Sequence, residues 1–128
     1  MSISDSISFR LEQAHETLKE AETLEQNGLY RGAINRAYYA MFYSVLALAA
    51  KKNLVISKHT GIISFFDKEY VKTGVFPSEL SRALHIGFDR RQSNDYGEVW
   101  SASGEEVEIA LSEARLFVET VRSYLQKD

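Results

Sequence analysis

Ala33-Ile34-Asn35-Arg36-Ala37-Tyr38-Tyr39-Ala40-Met41-Phe42-Tyr43-Ser44-Val45-Leu46-Ala47-Leu48-Ala49-Ala50 is the stretch on which the fold turns. Its apolar residues at 33, 34, 37, 38, 41, 42, 45, 46, 48 and 49 cover most of the circumference of a helix. A helix apolar nearly all round belongs in the middle of a bundle or at a subunit contact. The alanines let neighbouring elements approach closely. From Ala37 to Ala50 the run is interrupted by Tyr and Ser and is too short to span a bilayer. One face departs from the pattern: Arg36, Tyr39 and Tyr43 recur at i, i+3 and i+7. Tyrosines placed so either fill core volume with their hydroxyls at the surface, or form a polar-tipped stripe facing a later part of the chain.

Outward from this helix, the pattern stays helical in both directions. On the N-terminal side Ile7, Leu11, Ala14, Leu18, Ala21 and Leu24 form a one-sided stripe, with acidic residues and Lys19 on the other faces. Asp5 or Ser6 is the expected cap, and Asn27-Gly28 the left-handed stop. On the C-terminal side, Asn53-Leu54 ends the central helix, and Ser57-Lys58-His59-Thr60 leads into a shorter one carrying Ile62, Ile63, Phe65, Phe66 and Tyr70. Lys72-Thr73-Gly74 makes a turn, and Pro77 opens a helix expected to run to about Gln92 with Leu80, Leu84 and Phe88 inward. Ser103 and Glu106 read as a capping box for a last helix in which Val107, Ala110, Ala114, Phe117, Val121 and Tyr124 share one side. The prediction is all-α: a single domain over 1–128, built as an antiparallel up-and-down bundle of four long helices plus one short helix, with no strand signal and no internal repeat.

Composition narrows the function classes. The chain has 128 residues, 45% hydrophobic and 26% charged, ordinary for a soluble globular protein. With no cysteine there is neither a disulfide framework nor a thiolate metal site. The three histidines, His15, His59 and His85, lack zinc-ligand spacing, so neither metal nor cofactor is expected. The N-terminal residues lack the basic and apolar regions of a signal peptide, which makes a cytoplasmic location the expectation. A net charge of −3 argues against wholesale electrostatic binding of nucleic acid, although a local basic cluster can still grip a few phosphates.

One such cluster lies in Phe88-Asp89-Arg90-Arg91-Gln92-Ser93-Asn94-Asp95-Tyr96-Gly97. Adjacent guanidiniums present planar forks of donors suited to phosphate. Asp95 adds an acceptor and Tyr96 a weakly acidic hydroxyl. The plainer reading is a solvated helix end whose arginines answer the C-terminal dipole. In an ideal helix Arg91 and Tyr96 diverge by roughly 140°. They converge only if the helix loosens at Ser93-Asn94-Asp95, residues that compete with helical hydrogen bonding. Lys58 and His59 read as a helix start, with a place at an anionic ligand as the alternative.

Four blocks in order, Arg36-Ala37-Tyr38-Tyr39-Ala40-Met41-Phe42-Tyr43, Lys58-His59-Thr60-Gly61, Val71-Lys72-Thr73-Gly74 and Arg91-Gln92-Ser93-Asn94-Asp95-Tyr96, resemble the small prokaryotic HEPN-domain proteins over nearly the whole chain. The resemblance implies a helical bundle that forms a homodimer and works beside a minimal nucleotidyltransferase as a toxin–antitoxin pair. It also implies action on RNA, in many members as a metal-independent endoribonuclease whose motif is an arginine followed after four to six residues by a histidine. Arg91 matches the arginine; the three positions that could hold the histidine carry Tyr96, Gly97 and Glu98. On this reading Arg91, Asp95 and Tyr96 are the catalytic candidates, and Arg90, Arg36, Lys58 and His59 the RNA- or nucleotide-binding ones. Cleavage by the 2′-hydroxyl needs a base, an acid and a cation on the phosphate. Arg91 supplies the cation, whereas a free tyrosine, with a pKa near 10, is a poor stand-in for histidine. A non-catalytic nucleotide- or RNA-binding module, with Tyr96 for stacking or as a modification target of the partner, is the alternative; a plain helical interaction protein is a third.

Overall fold

The computed structural model describes residues 2–95 and 101–127, the side chains of 94 and 95 excepted. It contains α1 (Ile3–Gln26), α2 (Tyr30–Lys51), α3 (His59–Phe66), α4 (Ser78–Asp95) and α5 (Gly104–Leu125), with a π-helical turn over Asp67–Val71 extending α3. There is no strand among the described residues.

The helix read as apolar all round is indeed the one the others pack against. In α2, Ala33, Ile34, Ala37, Tyr38, Ala40, Met41, Phe42, Ser44, Val45, Ala47, Leu48 and Ala49 are all buried. Neighbours cover it from several sides. α1 runs back along it, so that Arg36 meets Glu20 at 3.2 Å. α4 packs across α2, with Gly87 against Tyr38 and Arg91 against Tyr39. α5 closes the bundle antiparallel to α1, tied at the surface by Arg115 to Glu22 at 3.0 Å. The result is the antiparallel up-and-down bundle.

At one end of the core the rings of Phe66, Tyr70, Phe76, Phe117 and Tyr124 pack on one another, Phe66 and Phe117 with centroids 5.0 Å apart. Both phenylalanines are fully buried. Large aromatic side chains of this kind carry much of the burial energy of a small bundle.

Local chemistry sets the helix ends. Ser2, not Asp5 or Ser6, caps α1: its hydroxyl accepts the Asp5 N–H at 3.0 Å. A serine three residues ahead satisfies an orphan donor and lets the helix begin sooner than the hydrophobic stripe indicates. Gly28 at φ 72° and Asn53 at φ 56° take the left-handed conformation that stops α1 and α2. The Ser103–Glu106 capping box is present at α5.

The end of α4 corrects an expectation. The helix does not stop near Gln92 or loosen at Ser93-Asn94-Asp95; it continues through Asp95. The propensity cost of Ser, Asn and Asp is only a few tenths of a kcal/mol each, roughly, too little to end a helix already under way.

Candidate functional site

The site is built where α2, the start of α3 and the last turns of α4 meet. Its base is a cluster of rings. His59, the first residue of α3, stacks on Phe42 with centroids 4.3 Å apart, lies alongside Phe88 at 6.2 Å and meets Tyr39 edge-on at 5.8 Å. Tyr38 lies under the cluster, 1% exposed, with its hydroxyl oxygen 2.7 Å from His59 Nδ1. Burial pushes the Tyr38 phenol well above its ordinary value; the charge of Arg91 opposes that and Tyr39 adds to it, but burial wins.

Arg91 rises from α4 against this base. Its Nε donates to the Tyr39 hydroxyl at 3.0 Å. Arg36 covers the ring of the same tyrosine, its guanidinium carbon 5.2 Å from the centroid, while also bonding Glu20. Tyr39 is therefore contacted by two arginines on different helices, through its hydroxyl by one and its face by the other. A cation on an aromatic face and a hydrogen bond from a guanidinium each fix orientation, which a long flexible side chain otherwise lacks.

The sequence candidates thus divide. The fold brings Arg36, His59 and Arg91 onto one set of rings, as the polar-tipped stripe reading of Arg36, Tyr39 and Tyr43 requires. It turns Arg90 away: roughly 100° further round the helix, Arg90 reaches α5 and pairs with Glu106 at 3.4 Å. Lys58 is exposed in the residue just before α3, with no hydrogen bond from its side chain to cap it. The Asp95 side chain and all of Tyr96 lie outside the described residues. His15 is exposed on α1, and exposed His85 bonds Asp67 at 2.6 Å, both away from the rings.

Two participants were not singled out from the sequence. Tyr38 reads there only as core filling, and its pairing with a residue 21 positions on is visible only in the fold. Gly87 is the other. A Cβ there would stand 2.8 Å from Tyr38 Cδ1, so the bare glycine lets α4 close on α2 and brings Phe88 and Arg91 to the site. A glycine in mid-helix, away from either end, was the available signal.

No group of three or more His, Cys, Asp or Glu placed to hold a metal occurs among the described residues. No helix among them is long and apolar enough to cross a membrane.

The helical bundle is the fold that the resemblance implied, and the HEPN domain model matches residues 7–124. The chain belongs to the HEPN domain family. Its relatives include a UPF0332 protein of Thermotoga maritima, 35% identical over 120 residues, covering 94% of this chain and 91% of the relative. Two Methanocaldococcus jannaschii proteins bearing the name "putative toxin" are also similar. One is 35% identical over 125 residues, covering 98% of this chain and 92% of its own; the other is 33% identical over 115 residues, covering 90% and 78%.

Proposed function

We propose that this chain is the toxin component of a toxin–antitoxin pair and acts on RNA through the site around Arg91. The observation that carries the reading is the anchoring of Arg91. Its Nε donates to the Tyr39 hydroxyl, which orients the guanidinium as a planar donor beside the rings of Tyr39 and Tyr43. Arginine forks suit phosphate oxygens and aromatic faces suit unstacked bases, so the two together fit single-stranded RNA. The toxin names of the two archaeal relatives agree with the role.

In this account Arg91 holds the scissile phosphate and Arg36 adds positive charge beside it. Arg90 and Lys58 are peripheral phosphate contacts on neighbouring surfaces. Asp95, one helical turn after Arg91, and Tyr96, the tyrosine of the arginine motif, are assigned to proton transfer, Tyr96 on the copy of the motif that faces Arg91 across the proposed dimer. The protein works in the cytoplasm as a homodimer, with a minimal nucleotidyltransferase as its antitoxin partner.

The experiment is cleavage of total RNA and tRNA in EDTA by wild type, Arg91→Ala and Tyr96→Phe. Cleavage by wild type, lost in Arg91→Ala, is the expected result for a metal-independent endoribonuclease. Loss in Tyr96→Phe as well would put tyrosine in the place of the motif histidine. RNA bound but not cut by wild type would contradict the enzyme and leave the second reading, a non-catalytic RNA- or nucleotide-binding module. The sequence observation favouring that second reading is specific: positions 96 to 98 hold Tyr, Gly and Glu where the motif has histidine.

A further inference from the structure

His59 and Tyr38 form a polar pair inside an otherwise aromatic cluster, and no part of the arginine motif requires them. The Tyr38 hydroxyl is buried and bonds His59 Nδ1 at 2.7 Å. Among the described residues it makes no other hydrogen bond, so its hydrogen has only Nδ1 to go to. Burial holds the phenol protonated well past neutrality, which keeps that hydrogen in place. A neutral imidazole has one N–H and one bare nitrogen; if Nδ1 accepts, Nε2 carries the proton. A turn of the ring about Cβ–Cγ would set Cδ2, not Nε2, against the hydroxyl and forfeit the bond, and Phe42 stacked at 4.3 Å and Tyr39 edge-on at 5.8 Å crowd that turn. Tyr39 is also the residue that receives Arg91, so the imidazole and the guanidinium border the same ring.

We propose that Tyr38 is a positioning residue that holds the neutral His59 imidazole with its proton on Nε2, making His59 a hydrogen-bond donor to the phosphodiester oxygens bound by Arg91. The inference rests on the proposed action on RNA and deepens it. It gives His59 a binding role and denies it that of the missing base, because the nitrogen that could take a proton is the one Tyr38 occupies. The ligand oxygen competes for the Nε2 proton with any acceptor the chain itself offers.

The tautomer is read directly, without RNA, from long-range nitrogen–proton NMR correlations of the 15N-labelled full chain. The expected spectrum shows His59 Nδ1 bare and Nε2 protonated in wild type, with the preference lost in Tyr38→Phe. A wild-type imidazole with its proton on Nδ1 would overturn the inference whatever the RNA results.

Binding of a short single-stranded oligoribonucleotide in EDTA supplies the second readout. His59→Phe keeps the stacked ring and removes the donor, and should weaken binding about five- to tenfold. Tyr38→Phe/His59→Phe should bind no more weakly than His59→Phe, yet unfold at a higher temperature, because the hydroxyl stranded in the single variant is gone. Independent, additive losses would contradict a coupled pair. No binding by wild type, with the Nε2 tautomer observed, would overturn the proposed function and the ligand half of the inference together. An Nδ1 tautomer alongside Arg91-dependent binding would overturn the inference alone.

Discussion

Gly87 owes its place to Tyr38. The Cβ of an alanine would lie 2.8 Å from Tyr38 Cδ1 and 3.1 Å from its Cβ, and an atom so close to the backbone cannot swing aside. Alanine gains about 1 kcal/mol of helix propensity over glycine, while overpacking a tight contact costs about 1–3 kcal/mol. The clash should win: Gly87→Ala is expected to lose about 1 kcal/mol in denaturant unfolding and to weaken RNA binding by shifting Tyr38. Gly32 is the control. Its nearest neighbour is a flexible Leu24 methyl at 3.4 Å, so Gly32→Ala should be neutral or stabilising by about 0.5 kcal/mol. Equal behaviour of the two variants would contradict this packing.

Tyr70 gives the residue scale a pH signature. Its side chain is buried, its hydroxyl has no hydrogen bond of good geometry among the described residues, and burial pushes the phenol up to about 12. The unfolded chain ionises this group near 10.0 and the folded one only near 12. Above the lower value the unfolded state therefore binds fewer protons than the native one, and stability falls as pH rises through that window. Tyr70→Phe should flatten the fall in urea midpoints measured from neutral to strongly alkaline pH; an unchanged slope would exclude Tyr70 as its source. At this scale the sequence allowed the stripe of Arg36, Tyr39 and Tyr43 to be anticipated, because helical spacing is local. It could not reveal that Tyr38 bonds His59, because that partnership depends on how α3 is laid against α2.

Among the elements, the two ends of α4 show what periodicity can and cannot reach. Pro77 marks its start from the sequence, and its carbonyl accepts the Leu80 N–H at 3.1 Å. Its continuation through Asp95 is not legible, because the local preferences of Ser93, Asn94 and Asp95 against helix are weak and do not end one already formed. The α1 cap was displaced for a simpler reason: the apolar stripe says nothing about a polar turn ahead of it. By contrast the Ser103–Glu106 box was readable, since both reciprocal bonds are local. The Ser103 hydroxyl accepts the Glu106 N–H at 3.1 Å and the Ser103 N–H donates to Oε1 of Glu106 at 3.3 Å. Ser103→Ala should cost about 1 kcal/mol, lowering the thermal midpoint without changing the fold by circular dichroism. The π-helical turn has no sequence signature that could have announced it. It places Asp67 to accept from Ser81 at 2.7 Å and to meet His85 at 2.6 Å, joining α3 to α4.

At the scale of the molecule, α2 leaves room for the proposed RNA site on a mildly acidic chain. Its apolar circumference is consumed within one chain, leaving a single half-buried stripe on which Arg36, Tyr39 and Tyr43 stand. The proposed dimer must therefore draw on other apolar surface, such as Ile3, Phe9, Leu54 and Val55, which border or lie near one groove where α1 begins and α2 ends. Sedimentation at micromolar concentration should give a dimer; a monomer would remove that part of the proposal.

The central claim is that the two adjacent arginines do different work because the helix points them to different neighbours. Equilibrium binding of a single-stranded oligoribonucleotide to wild type, Arg91→Ala and Arg90→Ala, at several salt concentrations, tests it most directly. The account predicts a loss of about tenfold or more for Arg91→Ala, with a shallower salt dependence, and a much smaller loss for Arg90→Ala, whose charge answers Glu106. Equal losses from the two variants, or no loss from Arg91→Ala, would contradict it.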